Sequence, residues 1–363
     1  MMRREEIRFK ILRDGAEYAE IFPDNSAPTL RCDSNGDIKM SLQGTFLATA
    51  LDNTGREIEV DWMRDEIQPT LIINEVSSPL GVLIPTTVTP TENATTKTLK
   101  IEAYDHCWAV KNYCSLSMVH INAGASYVDT VEALLIDAGV GTILKTDSAA
   151  ALAEAREDWD IGTPYLTIIN DLLSEINYKS VWFNADGIAI LEPESVPTGA
   201  NVKHVFTNKK PNAKNPAEAD MISVTPKITR TTDIYSAPNV FICVCSNADK
   251  SAGMKAVSEN TNPQSPLSII RRGRRIVQVV QIDNIADQTE LQTYADRLRD
   301  ESAFRGEVIQ AETMLLPGFG VKDVTGFQYD DLFSLCLETS WQMQLKPGGM
   351  MTHTLQRVVV ALE

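Results

Sequence analysis

Apolar positions change their period along this chain, and the changes divide it. From Glu5 to about Tyr113 they tend to recur every second residue in short runs. Ile7-Arg8-Phe9-Lys10-Ile11-Leu12 alternates imperfectly, Ile38, Met40, Leu42 and Phe46 alternate with polar neighbours, and Glu57 to Trp62 does the same. Leu71-Ile72-Ile73-Asn74 leads through Pro79-Leu80-Gly81 into Val82-Leu83-Ile84, and a threonine-rich run follows from Thr95 to Tyr104. Successive strand side chains point to opposite faces, so period two predicts half-buried strands. With Asp14-Gly15 and Asn53-Thr54-Gly55 as turns, many short strands predict a sandwich or barrel.

The period then shifts. Ser126 to Ala138 predicts a helix with Ser126 as its cap and an end near Gly139. Ala149 to Glu157, alanine-rich and acidic, reads as a short helix or an exposed connector. Trp159 to Pro193 is the most legible stretch. Thr163 is a candidate cap with Pro164 at the first helical position, and Leu166, Ile169, Leu172, Leu173 and Ile176 form an apolar stripe. Val181-Trp182-Phe183 and Ile188 to Leu191 then read as strands around the turn Asn184-Ala185-Asp186-Gly187.

Pro197 to Pro216 is a loop passage, after which strands resume at Ile222 to Ile228, Asn239 to Cys245 and Arg274 to Ile282. Asn247 to Pro266 predicts an exposed loop, and Asp287 to Phe304 a helix with Leu291, Tyr294, Ala295 and Leu298 as its stripe. Val308 to Leu315, Leu332 to Leu337 and Thr352 to Leu362 complete the strands. The expected organisation is a β-domain over 1–120, an α/β insert over 121–200 and a second β-domain over 201–363. The last holds one long helix and an exposed loop near 247–268.

Length agrees, since 363 residues call for two or three domains. With 43% hydrophobic and 23% charged residues, the chain is a folded one. No run approaches the ~18 apolar residues of a membrane span. The N-terminus has no apolar core or cleavage site of a signal peptide, so synthesis in the cytoplasm and no membrane insertion are expected. A net charge of −16 argues against sequence-independent binding to a nucleic-acid duplex.

Candidate chemistry is sparse. Cys243 and Cys245 share a strand face and read as small buried hydrophobes, a C-x-C pair without a second pair being a weak zinc signal. His106, His120, His204 and His353 lack metal-site spacing, and His106-Cys107, neighbours in a strand-like run, make a poor dyad. Gly318-Phe319-Gly320 and Gly348-Gly349 read as turns, and Glu157-Asp158 and Asp330-Asp331 as solvated charge. No catalytic, cofactor or metal residue is assigned. The one basic cluster is Arg271, Arg272, Arg274 and Arg275. It reads as a solvated hairpin tip, a short nucleic-acid patch or an intersubunit contact, and in so acidic a chain the contact ranks above nucleic acid.

Several runs resemble the baseplate hub proteins of phage tails and phage-tail-like particles, in particular those of prophages from Gram-positive bacteria. They are Ile38 to Phe46, Asp65 to Pro69 with Pro79 to Val82, Ile169 to Leu173 followed by Ile176-Asn177-Tyr178, and Ala286 to Ser302 followed by Val308 to Leu315. The resemblance implies an α+β chain with two antiparallel tail-tube-like β-barrels and an intervening small α/β domain. It further implies a homotrimeric ring that adapts a six-fold tail tube to a three-fold central spike and lines the delivery channel. Its partners would be the tail tube protein, the central spike protein, surrounding baseplate proteins and a tape measure protein, at the baseplate of a virion tail. Three copies of −16 would give the ring a charge of −48, and an acidic lumen would let DNA pass without sticking. Some relatives carry peptidoglycan-degrading modules, and none is expected after the last strand here. A tail-associated cell-wall hydrolase using a carboxylate pair, or a glycan-binding module using Trp62, Trp108 or Trp341, are the alternatives.

Overall fold

The structure, a computed structural model, describes residues 3–358 apart from 94–95, 196, 212–213, 216–217, 232–236, 246–252, 283–284, 286 and 305–306, with the side chains of 157–158 and 303–304 also outside the description. The alternating N-terminal run folds into β1 (Glu5–Arg13), β2 (Ala16–Pro23), β3 (Thr29–Asp33), β4 (Met40–Leu51), β5 (Glu57–Ile58), β6 (Glu66–Ile73), β7 (Val76–Pro79), β8 (Ile84–Glu92) and β9 (Lys97–Tyr104). Asp14 and Gly15 have φ of 53° and 76°, the paired left-handed residues that a two-residue hairpin between β1 and β2 requires. The imperfect alternation in β1 is a bulge. Its register with β2 slips between Ile11 and Leu12, so Phe9, Ile11 and Leu12 are all buried.

Hydrogen bonding runs β6–β1–β2–β4–β9–β8. It returns to its start where Leu83, just before β8, exchanges two backbone bonds with Ile67 of β6 at 2.8 and 2.9 Å. A cycle of this kind pairs strand edges that would otherwise lie open. Phe9, Leu42, Phe46, Ile67, Leu71 and Ile101 belong to the buried core of these strands, and Phe9 meets Phe46 edge-on with ring centroids 5.0 Å apart.

The middle of the chain forms α1 (Cys107–Asn112), β10 (Val119–Ile121), α2 (Tyr127–Asp137), β11 (Ile143–Lys145), β12 (Arg156–Trp159), α3 (Tyr165–Glu175), β13 (Trp182–Phe183) and β14 (Ala189–Leu191). As expected, Ser126 caps α2, its Oγ accepting from Asp129 N at 3.3 Å, and Gly139 follows the helix end with φ 87°. The apolar stripe of α3 is buried against α2 in one cluster with Val128, Val131 and Leu135. The start of α3 differs from expectation. Pro164 lies just outside the helix in an extended conformation, bridged to Cys114, and the Thr163 hydroxyl donates to the Asp160 carbonyl at 2.8 Å instead of capping. His106 and Cys107 also differ, standing at the N-cap and first turn of α1 rather than in a strand. Asn184 organises the turn before β14 as predicted, its Oδ1 accepting from Asp186 N and Ile188 N, each at 3.0 Å.

After residue 200 come β15 (His204–Thr207), β16 (Ile222–Ser223), β17 (Thr229–Thr231), β18 (Val240–Cys245), β19 (Met254–Glu259), α4 (Ile269–Arg272), β20 (Val277–Ile282), α5 (Gln288–Phe304), β21 (Val308–Met314), β22 (Val324–Tyr329), β23 (Leu332–Gln344) and β24 (Met350–Val358). A second cycle runs β15–β22–β23–β24–β21. The residues after β16 close it, with Val224 N donating to Thr207 O at 2.9 Å and Thr225 N to Glu312 O at 2.8 Å. The end of β23 also pairs with β3, from Ser340–Asp33 to Gln344–Thr29, so both cycles belong to one sixteen-stranded network.

Several features of this half depart from the sequence reading. β18 and β20 do not join the large network; with β19 they form a separate three-stranded sheet in which β18 and β20 run parallel. The expected exposed loop near 247–268 holds β19 in its described part, because the residues β19 turns inward, Ala256 and Ser258, are too small or polar to signal a strand. β22 went unread for a similar reason, with Thr325 and Gly326 at its buried centre. The second predicted strand from the end, Leu332 to Leu337, is the first half of the thirteen-residue β23.

Gly348 and Gly349 make the turn between β23 and β24, as expected, and Gly348 has φ 70°. A Cβ on Gly349 would overlap the Gln344 carbonyl oxygen and stand 2.9 Å from that of Lys346. Gly349→Ala is therefore expected to cost about 2 kcal/mol in urea unfolding, within the usual range for a steric conflict. A change below about 0.5 kcal/mol, the size of ordinary surface substitutions, would show that the turn relaxes freely.

Candidate assembly surface

The arginine cluster is built from the backbone up. Ser268, fully buried, caps α4 by accepting from Arg271 N at 3.3 Å, and Gly273 ends the helix with φ 64°. Buried Asn239 then holds the following segment. Its Nδ2 donates to the carbonyls of Leu267 and Arg274 at 3.1 and 3.0 Å, and its Oδ1 accepts from Ile276 N at 2.7 Å. Arg272 Nη1 donates to the Ala237 carbonyl at 2.6 Å, which makes this guanidinium an internal tie. Arg271, Arg274 and Arg275 are exposed, with Arg275 reaching Glu259 at 3.4 Å. The cluster is thus a short helix leading into an edge strand, β20, and not a hairpin tip. The clamp by Asn239 was missed, as a lone asparagine before a strand carries no distinctive pattern.

The titratable groups outside this cluster are mostly structural. Glu338 Oε1 lies 2.6 Å from His353 Nδ1, and His353 Nε2 lies 2.9 Å from Thr313 Oγ1, which donates to the Met314 carbonyl at 2.8 Å. Burial pushes the Glu338 carboxyl well above its usual range and the imidazole down to about 3. A neutral carboxyl donating to Nδ1, with Nε2–H donating to Thr313, pairs both imidazole nitrogens and leaves the Glu338 Oε2 buried without a partner. This carboxyl–imidazole–hydroxyl series has the members of a nucleophilic triad, but all three side chains are buried, with the Phe206 and Phe319 rings tilted against the imidazole. His106 bonds Glu66 at 2.7 Å in a half-buried pair. Among the described residues, no group of three or more His, Cys, Asp or Glu is placed to hold a metal.

Cys243 and Cys245 are buried against Leu291 and Ala295 of α5, and burial raises the Cys243 thiol to about 11. Trp341 is in the core, Trp62 packs on it, and Trp108 is half-buried on α1. Glu157 and Asp158 side chains lie outside the described residues.

A mixed-charge cleft, invisible in the sequence, lies where the middle segment, α5 and the large sheet meet. Glu194 accepts from Lys322 and sits 3.5 Å from Arg297 Nη1. Two adjoining cavities of about 210 and 340 Å³ share these three residues. Beside them Lys39 Nζ donates to Gly36 O and Ser180 Oγ, both at 2.7 Å, and burial holds its ammonium below the usual range. These contacts join residues up to 288 positions apart, as in the bond from Lys322 N to Ser34 Oγ at 3.0 Å, so the cleft works as an internal seam.

Two closed pairing cycles on one sheet, with α/β units between and beside them, define a sheet-rich α+β fold. Solved tail proteins share this fold across nearly the whole chain. A tail protein from Neisseria meningitidis MC58 superposes with a TM-score of 0.64 at 10% identity, over 96% of each chain. The prophage MuSo2 43 kDa tail protein from Shewanella oneidensis does so with a TM-score of 0.64 at 11% identity, over 98% of each chain. Prophage tail protein gp18 from Listeria monocytogenes EGD-e gives 0.54 at 10% identity, over 96% of this chain and 94% of that one. No protein-family model matches the sequence. No curated protein matches it. The likeness is one of fold, and it bears out the tail-protein resemblance read from the sequence.

Proposed function

We propose that this chain is a structural baseplate hub of a phage tail or phage-tail-like particle. The observation that carries the reading is the fold: a sheet-rich network, its two pairing cycles linked by β23 and β3, that superposes on tail proteins along 94–98% of their length. In this reading each cycle is a tail-tube-like barrel, and the first cycle, the middle segment and the second cycle are the three domains expected from the sequence. Three copies close a ring, six barrels face the six-fold tube, and the three-fold side receives the central spike. Surrounding baseplate proteins and a tape measure protein complete the contacts. The role is one of shape and symmetry, with no reaction, and the sealed Glu338–His353–Thr313 relay serves the fold.

The test is mass measurement of the purified chain, alone and with its tube protein, followed by imaging of the assembled particle. Three copies in one ring at the tube end are expected, with no fragments released from purified peptidoglycan. A chain that stays monomeric with the tube present, and is absent from the baseplate in images, would overturn the reading.

A further inference from the structure

Among the described residues, α5 covers one face of the sheet β19–β18–β20 and the other is partly open. Cys243, Cys245, Ala256, Val280 and Ile282 pack toward α5, so their neighbours point the other way. Ile242 and Val244 of β18 are half-buried there, and Val277 and Val279 of the edge strand β20 are 50% and 60% exposed. Cross-strand register puts Ile242 beside Val279 on one side and Val257 on the other, giving a continuous row of β-branched side chains. Arg271, Arg274 and Arg275 stand where the chain enters β20, with Ile270 also exposed. The surface is therefore an apolar floor with a cationic rim.

The β22–β23 hairpin carries the complement. Its tip is Asp330-Asp331, followed at once by Leu332 and Phe333, which are 73% and 55% exposed. The tip is held rigid. Asn208 donates to Asp330 Oδ1 at 3.0 Å and accepts from Asp330 N at 2.9 Å. The Phe333 ring lies across Gly326, where a Cβ would come within 2.6 Å of it. Asp331 meets Lys209 at 3.0 Å, but both side chains are so exposed that this pair competes weakly with a desolvated contact.

We propose that the Asp330–Phe333 hairpin tip of one copy docks on the valine face and arginine rim of the next. The two carboxylates meet the exposed guanidinium forks while Leu332 and Phe333 cover Val277 and Val279. Knob and socket are different patches, so the contact is head-to-tail, the kind that closes into a ring when the rotation allows. A rigid tip and a clamped rim lose little freedom on docking. Since copies of net charge −16 repel one another, a localised cationic rim also fixes where they can meet. This inference rests on the ring reading above and names its contact.

Charge exchange tests it, in the full chain with the tube protein present. The socket variant is R271E/R274E/R275E, leaving Arg272 on its carbonyl, and the knob variant is D330R/D331R. Each alone is expected to weaken self-association at least about 100-fold, as like charges then face each other. The two sets combined in one chain should restore the ring, because every contact is again complementary. Far-ultraviolet circular dichroism and unfolding midpoints near the parent's confirm folding, which exposed positions should preserve. Rings formed equally well by either single set, or a natively folded combined variant that stays apart, would overturn the proposed contact and leave the hub reading standing. A parent chain that never assembles would instead remove the hub reading itself.

Discussion

Glu175→Ala is expected to destabilise the middle segment by about 3–5 kcal/mol, the range for breaking a buried ion pair from one side. The Glu175 side chain on α3 is 5% exposed. Its Oε1 accepts from Arg156 Nη1 at 2.6 Å, and its Oε2 accepts from the Tyr127 hydroxyl at 2.9 Å. Burial pushes this carboxyl up, while Arg156 and the Tyr127 bond pull against that shift. The Arg156 guanidinium also lies over the Trp159 ring, 4.7 Å from its centroid, and Trp159 Nε1 donates to Asp171 at 3.0 Å. One carboxylate thus fixes strand β12 against both helices. Removing it takes the acceptor from the buried tyrosine hydroxyl and a buried carboxylate from the guanidinium. Tyr127→Phe, which removes both the hydroxyl and the need for it, should cost only about 1 kcal/mol. Urea unfolding followed by tryptophan fluorescence reads both. A Glu175→Ala loss no larger than that of Tyr127→Phe would show that the network is cosmetic.

Stability against pH is expected to be flat between about 4.5 and 6.5, and to fall on both sides, through the Glu338–His353 pair. The folded carboxyl is held well above its usual 4.5, and the folded imidazole is lowered from 6.5 to about 3. Facing groups reinforce this, as Asp323 raises Glu338 and His204 lowers His353. Folded, the pair holds one proton from the lowered value of the imidazole up to the raised value of the carboxyl. Unfolded, it holds two protons below 4.5, one between 4.5 and 6.5, and none above. The raised carboxyl therefore contributes stability that is lost as pH rises, and the lowered imidazole contributes stability that is lost as pH falls. Between the two unfolded values they cancel. Outside them the loss is about 1.4 kcal/mol per pH unit, one proton's worth. Glu338→Gln, whose amide can still donate to Nδ1, should abolish the alkaline slope and keep the acid one. Chemical unfolding across pH 4 to 9, read as the difference between the two proteins, isolates the pair from other titrating groups. Identical alkaline slopes would refute the assignment.

What could be read from the sequence was whatever lies close together along it. Asp14-Gly15, the Ser126 cap and the Asn184 turn are local bargains between a few residues, and all three stand as read. The stripe of α3 held as well, because helical burial repeats within eleven residues. Elements with small or polar buried faces went unread: Ala256 and Ser258 in β19, Thr325 and Gly326 in β22. Ser258 is buried because its hydroxyl donates to Asp296 of α5 at 2.6 Å, a partner 38 positions away that no periodicity reveals. The arginine run was legible as charge but not as geometry. Only the fold shows that Arg272 serves an internal carbonyl while the valines beside it stay open to solvent.

Strand β23 pairs with β22 at its start, β24 through its middle and β3 at its end. A pull on the second cycle therefore reaches the first through two ladders of backbone hydrogen bonds, β23 to β3 and β3 to β4. The five residue pairs between β23 and β3 lie side by side along the strand, so a tug along that axis strains them together instead of peeling them one after another.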